Sequence, residues 1–349
     1  MTSKSISPNP VGVIGAGSFG TAIANLLAHN ADVLLYARRQ ETIQTMRTTR
    51  TAAGQSLAPS VAPTDTLAEI AARCNVIFPI VPSESLRALM QDLGPLLTAQ
   101  HMLIHGIKGL DVQWQSHTTT LPQLSREHVK TMSEVIQEES AVQQVGCLAG
   151  PNLARELAQG QPAAAVVASH SDAVIATGQQ LLRSDRFQVY SSTDLLGVEL
   201  CGVLKNIMAI GAGCLSGLGY GDNAKALLIS RGMVEMVYIG QALGASVRPF
   251  IGLAGVGDLV ATCMSRLSRN YSVGYRLAQG ESLATILQHT EETAEGIHTV
   301  RTVRGLIHHY AIRAPITEAM YRVLFEDLPV QEAIHHLMKY PTNVDVDFL

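Results

Sequence analysis

The fold is decided near the N-terminus by residues 11–29, which read VGVIGAGSFGTAIANLLAH. The apolar residues of 11–14 predict a short strand, and the apolar residues of 21–29 recur at helical spacing and predict a helix. Between the two lies a turn with the spacing GxGxxG, formed by Gly15, Gly17 and Gly20. A strand, a glycine turn and a helix in this order form the first part of a βαβ unit.

This glycine turn is typical of dinucleotide-binding sites. The first glycine permits the tight turn, the second lets the main chain approach a pyrophosphate, and the third lets the helix pack closely on the strand. Ser18 and Phe19 stand at the start of the helix, where N–H groups and the helix dipole favour an anion. The alternative is a turn that needs a positive φ and binds nothing. The position between a strand and a helix favours the dinucleotide.

The end of the second predicted strand, residues 32–36, distinguishes between the two nicotinamide cofactors. NAD-specific sites place Asp or Glu there, on the ribose 2′-hydroxyl. This chain has Ala37, Arg38 and Arg39 instead. Because a guanidinium suits a 2′-phosphate, Arg38 predicts NADPH as the preferred cofactor, with NADH also accepted. The alternative is that both arginines only begin a solvated helix.

The composition excludes several classes of protein. The chain has 349 residues, of which 47% are apolar and 15% are charged, and its net charge is −4. These values exclude a disordered chain, and they disfavour nucleic acid as the main ligand because that needs a basic surface. The five cysteines are odd in number and no metal-ligand spacing is present, so we expect reduced thiols and no metal. No segment is a clean apolar run of spanning length, and we expect a cytoplasmic protein without a membrane span.

Strands and helices alternate as far as residue 192. Further strands are predicted at 76–81, 102–105, 145–149, 163–168 and 187–190, with helices at 86–97 and 131–139. Beyond 192 only helices are predicted, at 195–211, 224–243, 270–277, 283–288, 299–309, 316–325 and 329–337. The pattern predicts a disordered tail at 1–9, a Rossmann-type α/β domain with a doubly wound, mostly parallel sheet at 10–192, and an all-α domain at 193–349.

Lys205 interrupts an otherwise apolar helix. A charge there is costly unless it is paired or lines a cleft. A lysine beside a carbonyl can donate a proton as hydride arrives and take it back in the reverse reaction. The alternative is a lysine that extends to solvent from a half-buried helix.

Lys108 follows the strand at 102–105 and is flanked by Ile107 and Gly109. Open α/β sheets bind their ligands at the carboxyl ends of the strands, so this cation suggests an anionic or carbonyl ligand. Gly150 and Asn152 close a later strand at the same predicted edge. An ordinary surface lysine on a loop is the alternative.

Residues 252–270 combine glycines around Asp258 with Ser268, Arg269 and Asn270 at the start of a predicted helix. Arg269 offers a bidentate charge, and Asn270 and the helix N-terminus offer neutral donors, which together suit a phosphate. Asp258 could accept a hydrogen bond from a lysine ammonium or from a substrate hydroxyl. The alternative is a capped turn without a ligand.

The chain resembles the NAD(P)-dependent glycerol-3-phosphate dehydrogenases, in particular the bacterial biosynthetic type, over nearly its whole length. The segments that carry the resemblance follow the family's order: VIGAGSFGTAIA at 13–24, HGIKGLD at 105–111, LAGPNLARELAQGQPAAAVVAS at 148–169, LKNIMAIGAGCLSGLGYGDNAKALLISRG at 204–232, LAGVGDLVATC at 253–263, SRN at 268–270 and AEG at 294–296. The resemblance implies reversible reduction of dihydroxyacetone phosphate to sn-glycerol 3-phosphate by NAD(P)H, a supply role in phospholipid synthesis, and a homodimer.

The resemblance also implies a role for individual residues. Lys205 resembles the catalytic proton donor and acceptor. Substrate contacts are implied for Lys108, Gly150, Asn152, Lys205, Asp258, Ser268, Arg269 and Asn270. Besides the glycines of the loop, cofactor contacts are implied for Ser18, Phe19, Arg38, Lys108, Ala154, Arg269, Thr293 and Glu295.

The chain departs from the family's pattern at three places. Asn152 stands where Ser or Thr is usual, Ser265-Arg266 replaces a more usual Thr-Gly, and the segment 112–130 with Trp114 is longer than the family's compact form.

Two other hypotheses about the function stay open from the sequence. One is a reductase of the 2-hydroxyacid or ketopantoate type, which prefers a carboxylate substrate. The other is a nucleotide-binding module without turnover, which has no need of a proton donor.

Overall fold

A computed structural model of the chain describes residues 9–112, 124–289, 294–341 and 344–346. The predicted tail lies outside these residues apart from Asn9, and so do Trp114 and Thr293. Within the described residues the chain forms twelve strands: β1 Val11–Ile14, β2 Val33–Tyr36, β3 Thr51–Ala52, β4 Gln55–Ser56, β5 Val61–Thr64, β6 Val76–Pro79, β7 Met102–His105, β8 Asp111–Val112, β9 Val129–Lys130, β10 Gln144–Ala149, β11 Ala163–Ser169 and β12 Phe187–Ser192.

Eight of the strands form one sheet in the order β12-β11-β10-β7-β6-β1-β2-β5. Every neighbouring pair is parallel except β10 with β11, which is antiparallel. The predicted Rossmann-type α/β fold with a mostly parallel sheet is therefore confirmed. Because β1, β2, β7 and β10 run in the same direction, the loops after their carboxyl ends lie at one edge of the sheet.

The described residues also form sixteen α-helices: α1 Ser18–Leu27, α2 Gln40–Thr49, α3 Leu67–Arg73, α4 Ser83–Leu93, α5 Met132–Glu138, α6 Ala154–Ala158, α7 Asp172–Leu182, α8 Leu195–Gly217, α9 Asp222–Ala242, α10 Arg248–Ile251, α11 Asp258–Met264, α12 Arg269–Ala278, α13 Leu283–Gln288, α14 Glu295–His309, α15 Pro315–Phe325 and α16 Val330–Met338. A π-helical segment, Leu253–Gly257, leads directly into α11. The all-α character predicted for the C-terminal part is confirmed.

Helices cover both faces of the large sheet. One apolar cluster contains Ile23 of α1 and Leu181 of α7. A second cluster contains Ile70 of α3, Met90 of α4 and Val135 of α5. Two apolar clusters on opposite sides are expected for a sheet whose parallel strands are buried on both faces.

The chain divides into two compact units. The first contains residues up to Asp111 together with Thr131–Leu195, and the second contains Val112–Lys130 together with Leu196–Leu349. The predicted limits of 10–192 and 193–349 differ from this division mainly at the segment 112–130. The described end of that segment packs within the second unit, because Leu124 lies beside Gly305 and the Arg126 N–H donates to the Tyr310 hydroxyl over 2.9 Å.

Helix α8 is the one described helix that is long and apolar enough to cross a membrane. However, 94% of its apolar window is buried inside the protein. Burial of this extent is typical of the core helix of a globular domain, so α8 is weak evidence for a membrane span.

Candidate active site

The glycine loop is tight where the sequence requires glycine. Gly15 has φ +117°, a conformation that side chains disfavour, and a Cβ atom there would lie 2.2 Å from the carbonyl oxygen of Ile80. A Cβ atom on Gly20 would lie 1.8 Å from the carbonyl oxygen of Gly15. Both positions therefore exclude any side chain, which lets α1 approach β1 closely.

Gly17 has the opposite environment. A Cβ atom there would meet no atom within 4 Å in the part of the chain that the structure describes. Gly17 is the N-cap residue of α1 and has no side chain to cap the helix, and Ser18 is exposed. The helix N-terminus is thus open to an anion, which is the arrangement that a pyrophosphate needs. Phe19 lies partly buried beside Gly106 at the same edge.

Arg38 is exposed and follows the carboxyl end of β2. Arg39 is the N-cap residue of α2. The alternative in which the two arginines begin a helix therefore describes Arg39, whereas Arg38 precedes the helix at the edge of the sheet where ligands bind.

Lys108 and Gly150, which are 42 residues apart in the sequence, meet at this edge. Lys108 Nζ donates to the carbonyl oxygen of Gly150 over 3.4 Å. Gly150 has φ +130°, and a Cβ atom there would lie 3.1 Å from the carbonyl oxygen of Ala164. The loops after β7 and β10 are thereby brought together, as their parallel strands predict.

Asn152 is buried beside Gly150, with 9% of its surface exposed. Neither its Oδ1 nor its Nδ2 atom has a hydrogen-bond partner among the described residues. A buried amide without partners costs free energy, about 1–3 kcal/mol for a group left unsatisfied, so the site is suited to a polar ligand. Ala154, the first residue of α6, is partly buried against the same apolar cluster as Phe19.

The second unit contains a buried charged network around Lys205. Lys205 Nζ donates to Asp258 Oδ1 over 2.7 Å and to Thr262 Oγ1 over 2.6 Å, and Thr262 Oγ1 donates to Asp258 Oδ1 over 3.1 Å. These three residues are 5%, 2% and 5% exposed. The sequence suggested that Asp258 accepts from a lysine ammonium or from a substrate hydroxyl, and the structure contains the bond from the ammonium. The alternative in which Lys205 extends to solvent from a half-buried helix is therefore wrong.

Burial also determines the chemistry of the neighbouring cysteine. Burial raises the pKa of the Cys263 thiol to about 12, although the charge of Lys205 acts in the opposite direction. The thiol is therefore neutral at ordinary pH, and thiolate chemistry beside Lys205 is excluded.

Helix α12 begins close to Asn206, the neighbour of Lys205. A Cβ atom on Gly213 would lie 2.0 Å from the carbonyl oxygen of Tyr271, and one on Gly274 would lie 1.8 Å from that of Ile210. The backbones of α8 and α12 can touch only because these two residues are glycines. A Cβ atom placed on Gly296 would lie 2.7 Å from Asn270 Oδ1 and 3.0 Å from the carbonyl oxygen of Asn206, so the N-terminus of α12 lies near Asn206.

The residues Ser268, Arg269 and Asn270 form this N-terminus. Ser268 is the N-cap residue and accepts from the Tyr271 N–H over 3.3 Å. Asn270 Oδ1 accepts from the Gly296 N–H over 3.0 Å, which leaves the amide nitrogen as the donor of that side chain. Arg269 is exposed, and Glu295 is the first residue of α14 beside Gly296. A guanidinium at a helix N-terminus is suited to a phosphate.

The structure adds residues that the sequence did not single out as site residues. Thr262 contacts Lys205 directly, and Asn206 lies with its carbonyl oxygen 3.0 Å from a Cβ atom placed on Gly296. Both stand inside the quoted motifs, so their position in those motifs is the signal that could have found them. In the described part of the chain no three His, Cys, Asp or Glu side chains are grouped to hold a metal. The expectation of no metal stays a prediction.

Comparison with protein families gives two matches that together cover most of the chain. Residues 10–175 match the NAD-dependent glycerol-3-phosphate dehydrogenase N-terminus, and residues 194–335 match the C-terminus of the same family. A glycerol-3-phosphate dehydrogenase [NAD(P)+] of Azotobacter vinelandii is 38% identical over 349 residues, covering 99% of this chain and 98% of the relative.

Solved structures give the same picture. The crystal structure of glycerol-3-phosphate dehydrogenase from Coxiella burnetii has a TM-score of 0.84 at 31% identity and covers 95% of this chain and 99% of that one. A ketopantoate reductase of Ralstonia eutropha has a TM-score of 0.55 at 14% identity, with 93% of this chain and all of that one covered. The second likeness shows a shared fold alone.

Proposed function

The chain belongs to the NAD-dependent glycerol-3-phosphate dehydrogenase family, and from this premise we propose that it reversibly reduces dihydroxyacetone phosphate to sn-glycerol 3-phosphate with NAD(P)H and so supplies glycerophospholipid synthesis. The observation that carries the proposal is the buried contact of Lys205 with Asp258 and Thr262. A charge buried this deeply needs partners, and an enzyme that reduces a ketone needs a positioned proton donor.

Lys205 is the proton donor in this proposal. Reduction places negative charge on the ketone oxygen, and Lys205 donates the proton that this oxygen takes up. Asp258 supplies the counter-charge of this buried ammonium, because it accepts a hydrogen bond from it over 2.7 Å. The Thr262 hydroxyl donates to Asp258 and therefore presents its lone pairs to Lys205, which fixes the direction of the ammonium.

Lys108, Gly150 and Asn152 contact the substrate. The Lys108 ammonium polarises the ketone oxygen, and the main chain of Gly150 holds Lys108 in place. Asn152 has two buried polar atoms without partners among the described residues, and a hydroxyl and a carbonyl oxygen of the substrate satisfy them. An Asn where Ser or Thr is usual offers both a donor and an acceptor in fixed directions.

The start of α12 binds the phosphate of the substrate. Arg269 supplies charge, and the amide nitrogen of Asn270 and the helix N-terminus supply donors. Ser268 holds the helix start in place, because its hydroxyl caps α12. Binding the phosphate firmly orients the distant carbonyl carbon, so that binding energy away from the reaction contributes to its rate.

NADPH is the preferred cofactor in this proposal, with NADH also accepted and no metal required. The open space at Gly17 and the exposed N-terminus of α1 fit a pyrophosphate, and Arg38 fits a 2′-phosphate. Ser18, Phe19, Ala154, Arg269 and Glu295 complete the cofactor contacts, and Thr293, also assigned to the cofactor, lies outside the described residues. When bound, the nicotinamide supplies the hydride.

We further propose that the protein is a cytoplasmic homodimer. The resemblance to the family implies the dimer, and light scattering during size-exclusion chromatography tests the oligomeric state. A species of twice the chain mass at low micromolar concentration is the expected result, and a monomer would contradict it.

The experiment that tests the function is an absorbance assay of cofactor oxidation with the purified protein. Dihydroxyacetone phosphate, unphosphorylated dihydroxyacetone and 2-ketopantoate are compared, each with NADPH and with NADH. We expect turnover with the phosphorylated ketone to exceed both others by orders of magnitude. Turnover with the keto acid alone would support the ketopantoate-type reductase, and no oxidation with any ketone would support a binding module.

A further inference from the structure

The loop that carries Lys108 is held at its first end by helix α5. His105, the last residue of β7, accepts from the Ile107 N–H through Nδ1 over 3.3 Å. Its Nε2 atom lies 3.1 Å from the hydroxyl of Ser133, in the first turn of α5. Because His105 is fully buried, this contact fixes where the loop leaves the sheet.

The far end of the same loop is held by Arg87 of α4. Arg87 Nε and Nη2 both donate to Asp111 Oδ2, over 2.9 Å and 2.7 Å. Asp111 stands three residues after Lys108. The guanidinium also donates to Glu138 Oε2 over 2.9 Å and to Glu139, both at the C-terminal end of α5.

Three carboxylates around one guanidinium make this contact stronger than an ordinary surface ion pair. Arg87, Asp111 and Glu139 are each only about one fifth exposed. Burial lowers the pKa of Arg87, but the hydrogen bonds that the guanidinium donates to the three carboxylates outweigh it and raise the pKa above its ordinary value. Glu138 and Glu139 fix the plane of the guanidinium, so that its N–H groups stay directed at Asp111.

We propose that Arg87 is a positioning residue for Lys108, which it holds at its substrate-binding position by fixing Asp111 to α4 and α5. The inference rests on the proposed role of Lys108 in binding the ketone. Lys108 is half-buried, its Nζ lies 3.4 Å from the Gly150 carbonyl oxygen, and Asp111 stands three residues after it, so fixing the ends of the loop limits where the ammonium can lie. A displacement of about 1 Å in a binding group can cost up to about 100-fold in rate.

The test is a double-mutant cycle of Arg87→Met and Lys108→Met, read as kcat/KM for dihydroxyacetone phosphate. We expect Arg87→Met to lower kcat/KM by about 10- to 100-fold, mainly through KM. If Arg87 acts through Lys108, the double variant is no less active than Lys108→Met alone. A purely structural role would instead multiply the two losses.

Arg73→Met is the matched control, because Arg73 is an exposed arginine of the same unit whose ion pair with Glu69 lies within helix α3. It should leave kcat/KM within about twofold of the wild-type value, as surface ion pairs are weak.

Arg87→Lys should recover part of the loss, since it keeps the charge but not the two-pronged contact. Thermal unfolding and NADPH binding are measured on every variant. If Arg87→Met does not fold, Asp111→Asn weakens the same contact with Arg87 still present and should raise KM in the same direction.

The outcomes separate the two proposals. If Lys108→Met loses activity but Arg87→Met and Asp111→Asn stay within about twofold of the wild type, or if the losses multiply in the cycle, the role of Arg87 is wrong and the function stands. If Lys108→Met itself keeps full activity, the role of Lys108 in the function is wrong, and the role of Arg87 falls with it.

Discussion

Lys205 and Asn152 are both buried polar side chains of the proposed active site, yet their surroundings differ. Lys205 has Asp258 and Thr262 within 2.7 Å, whereas both polar atoms of Asn152 lack partners among the described residues. The difference follows from charge. A buried ammonium without a counter-charge is too costly to keep, but a neutral amide can remain unpaired for about 1–3 kcal/mol until a ligand arrives.

The comparison therefore separates two kinds of site residue. Lys205 is oriented by partners from the protein, as the proposed proton donor has to be. In the proposed function Asn152 finds its partners in the substrate, as a specificity residue has to. The predictions below test this division, beginning with the largest expected effect.

The first variant is Lys205→Ala, which removes the proposed proton donor. We expect kcat to fall by about 10²- to 10⁴-fold, while NADPH affinity changes little. The variant also removes the ammonium that pairs with the buried Asp258 carboxylate, and removing one partner of a buried ion pair costs about 3–5 kcal/mol of stability. The matched control is Lys205→Ala with Asp258→Asn, which should regain stability but not activity, measured by urea unfolding and by NADPH oxidation. Recovery of near-normal kcat in either variant would contradict the assignment.

The second variant is Gly17→Ala, which tests a position that we propose to contact the cofactor rather than the protein. The Cβ atom of the new alanine would meet no described atom within 4 Å, so we expect the unfolding midpoint to stay unchanged. It would crowd a pyrophosphate, and the loss of one or two hydrogen bonds to a charged group should weaken NADPH binding by roughly 10- to 100-fold. Gly20→Ala is the contrast, since its Cβ atom meets Gly15 and should lower stability as well. Unchanged NADPH affinity in a folded Gly17→Ala protein would remove the loop from the cofactor site.

The third variant is Arg38→Ala, which tests the choice of cofactor. The variant removes a hydrogen bond to a charged phosphate. Because Arg38 is exposed, we expect the free energy of that bond to lie at the lower end of the usual range, which corresponds to about a tenfold rise in KM for NADPH. KM for NADH should not change, because NADH has no 2′-phosphate. A rise in KM that is equal for both cofactors would show that Arg38 does not bind the 2′-phosphate.

The fourth variant is Asn152→Leu, the direct counterpart of the Lys205 experiment. It removes two buried polar atoms that have no partners in the described structure, so the free energy of unfolding should stay equal or rise. KM for dihydroxyacetone phosphate should rise by about 3- to 10-fold, the value of a neutral hydrogen bond or two. Asn152→Ser is the control and should keep most of the activity. Loss of stability in Asn152→Leu, with KM unchanged, would make Asn152 a structural residue.

The fifth prediction concerns Glu235, a buried carboxyl that accepts from the Ile316 and Thr317 N–H groups and the Thr317 hydroxyl. Burial raises the pKa of Glu235 from 4.5 to about 7, although these hydrogen bonds act in the opposite direction. The neutral form is favoured in the folded state, so its contribution to stability is present below pH 4.5 and is lost as the pH rises through about 7.

Chemical denaturation between pH 5 and 8 measures this effect. We expect the wild type to lose more stability across this interval than Glu235→Gln, whose side chain cannot ionise. An identical pH dependence of the two proteins would show that Glu235 does not titrate there.

Much of this arrangement could be predicted from the sequence, because regular patterns act locally. The turn Gly15–Gly20 lies between one strand and one helix, and Lys205 stands out from an apolar helix, so each was visible without a structure. The edge strand β5 was not predicted, since Pro63 lies inside it and proline is typical of edge strands or of no strand. The short helix α3 and the helix α7 were also missed, because their apolar spacing is brief or irregular.

The partners of the site residues could not be predicted in the same way. Thr262 and Asp258 lie 57 and 53 residues beyond Lys205, and Arg87 lies 24 residues before Asp111. The spacing of residues along the chain does not predict which residues come into contact over separations of this length. These contacts depend on how α11 packs on α8 and how α4 packs on α5, which are properties of the folded core.

The chemical step itself gives the most direct test of the account. Wild type and Lys205→Ala, each saturated with NADPH, are mixed rapidly with excess dihydroxyacetone phosphate, and NADPH oxidation is followed through the first turnover. If Lys205 is the proton donor, the first turnover slows by at least about 100-fold, the lower end of the general acid contribution, while NADPH remains bound. A first turnover as fast as that of the wild type would show that the proton comes from another group.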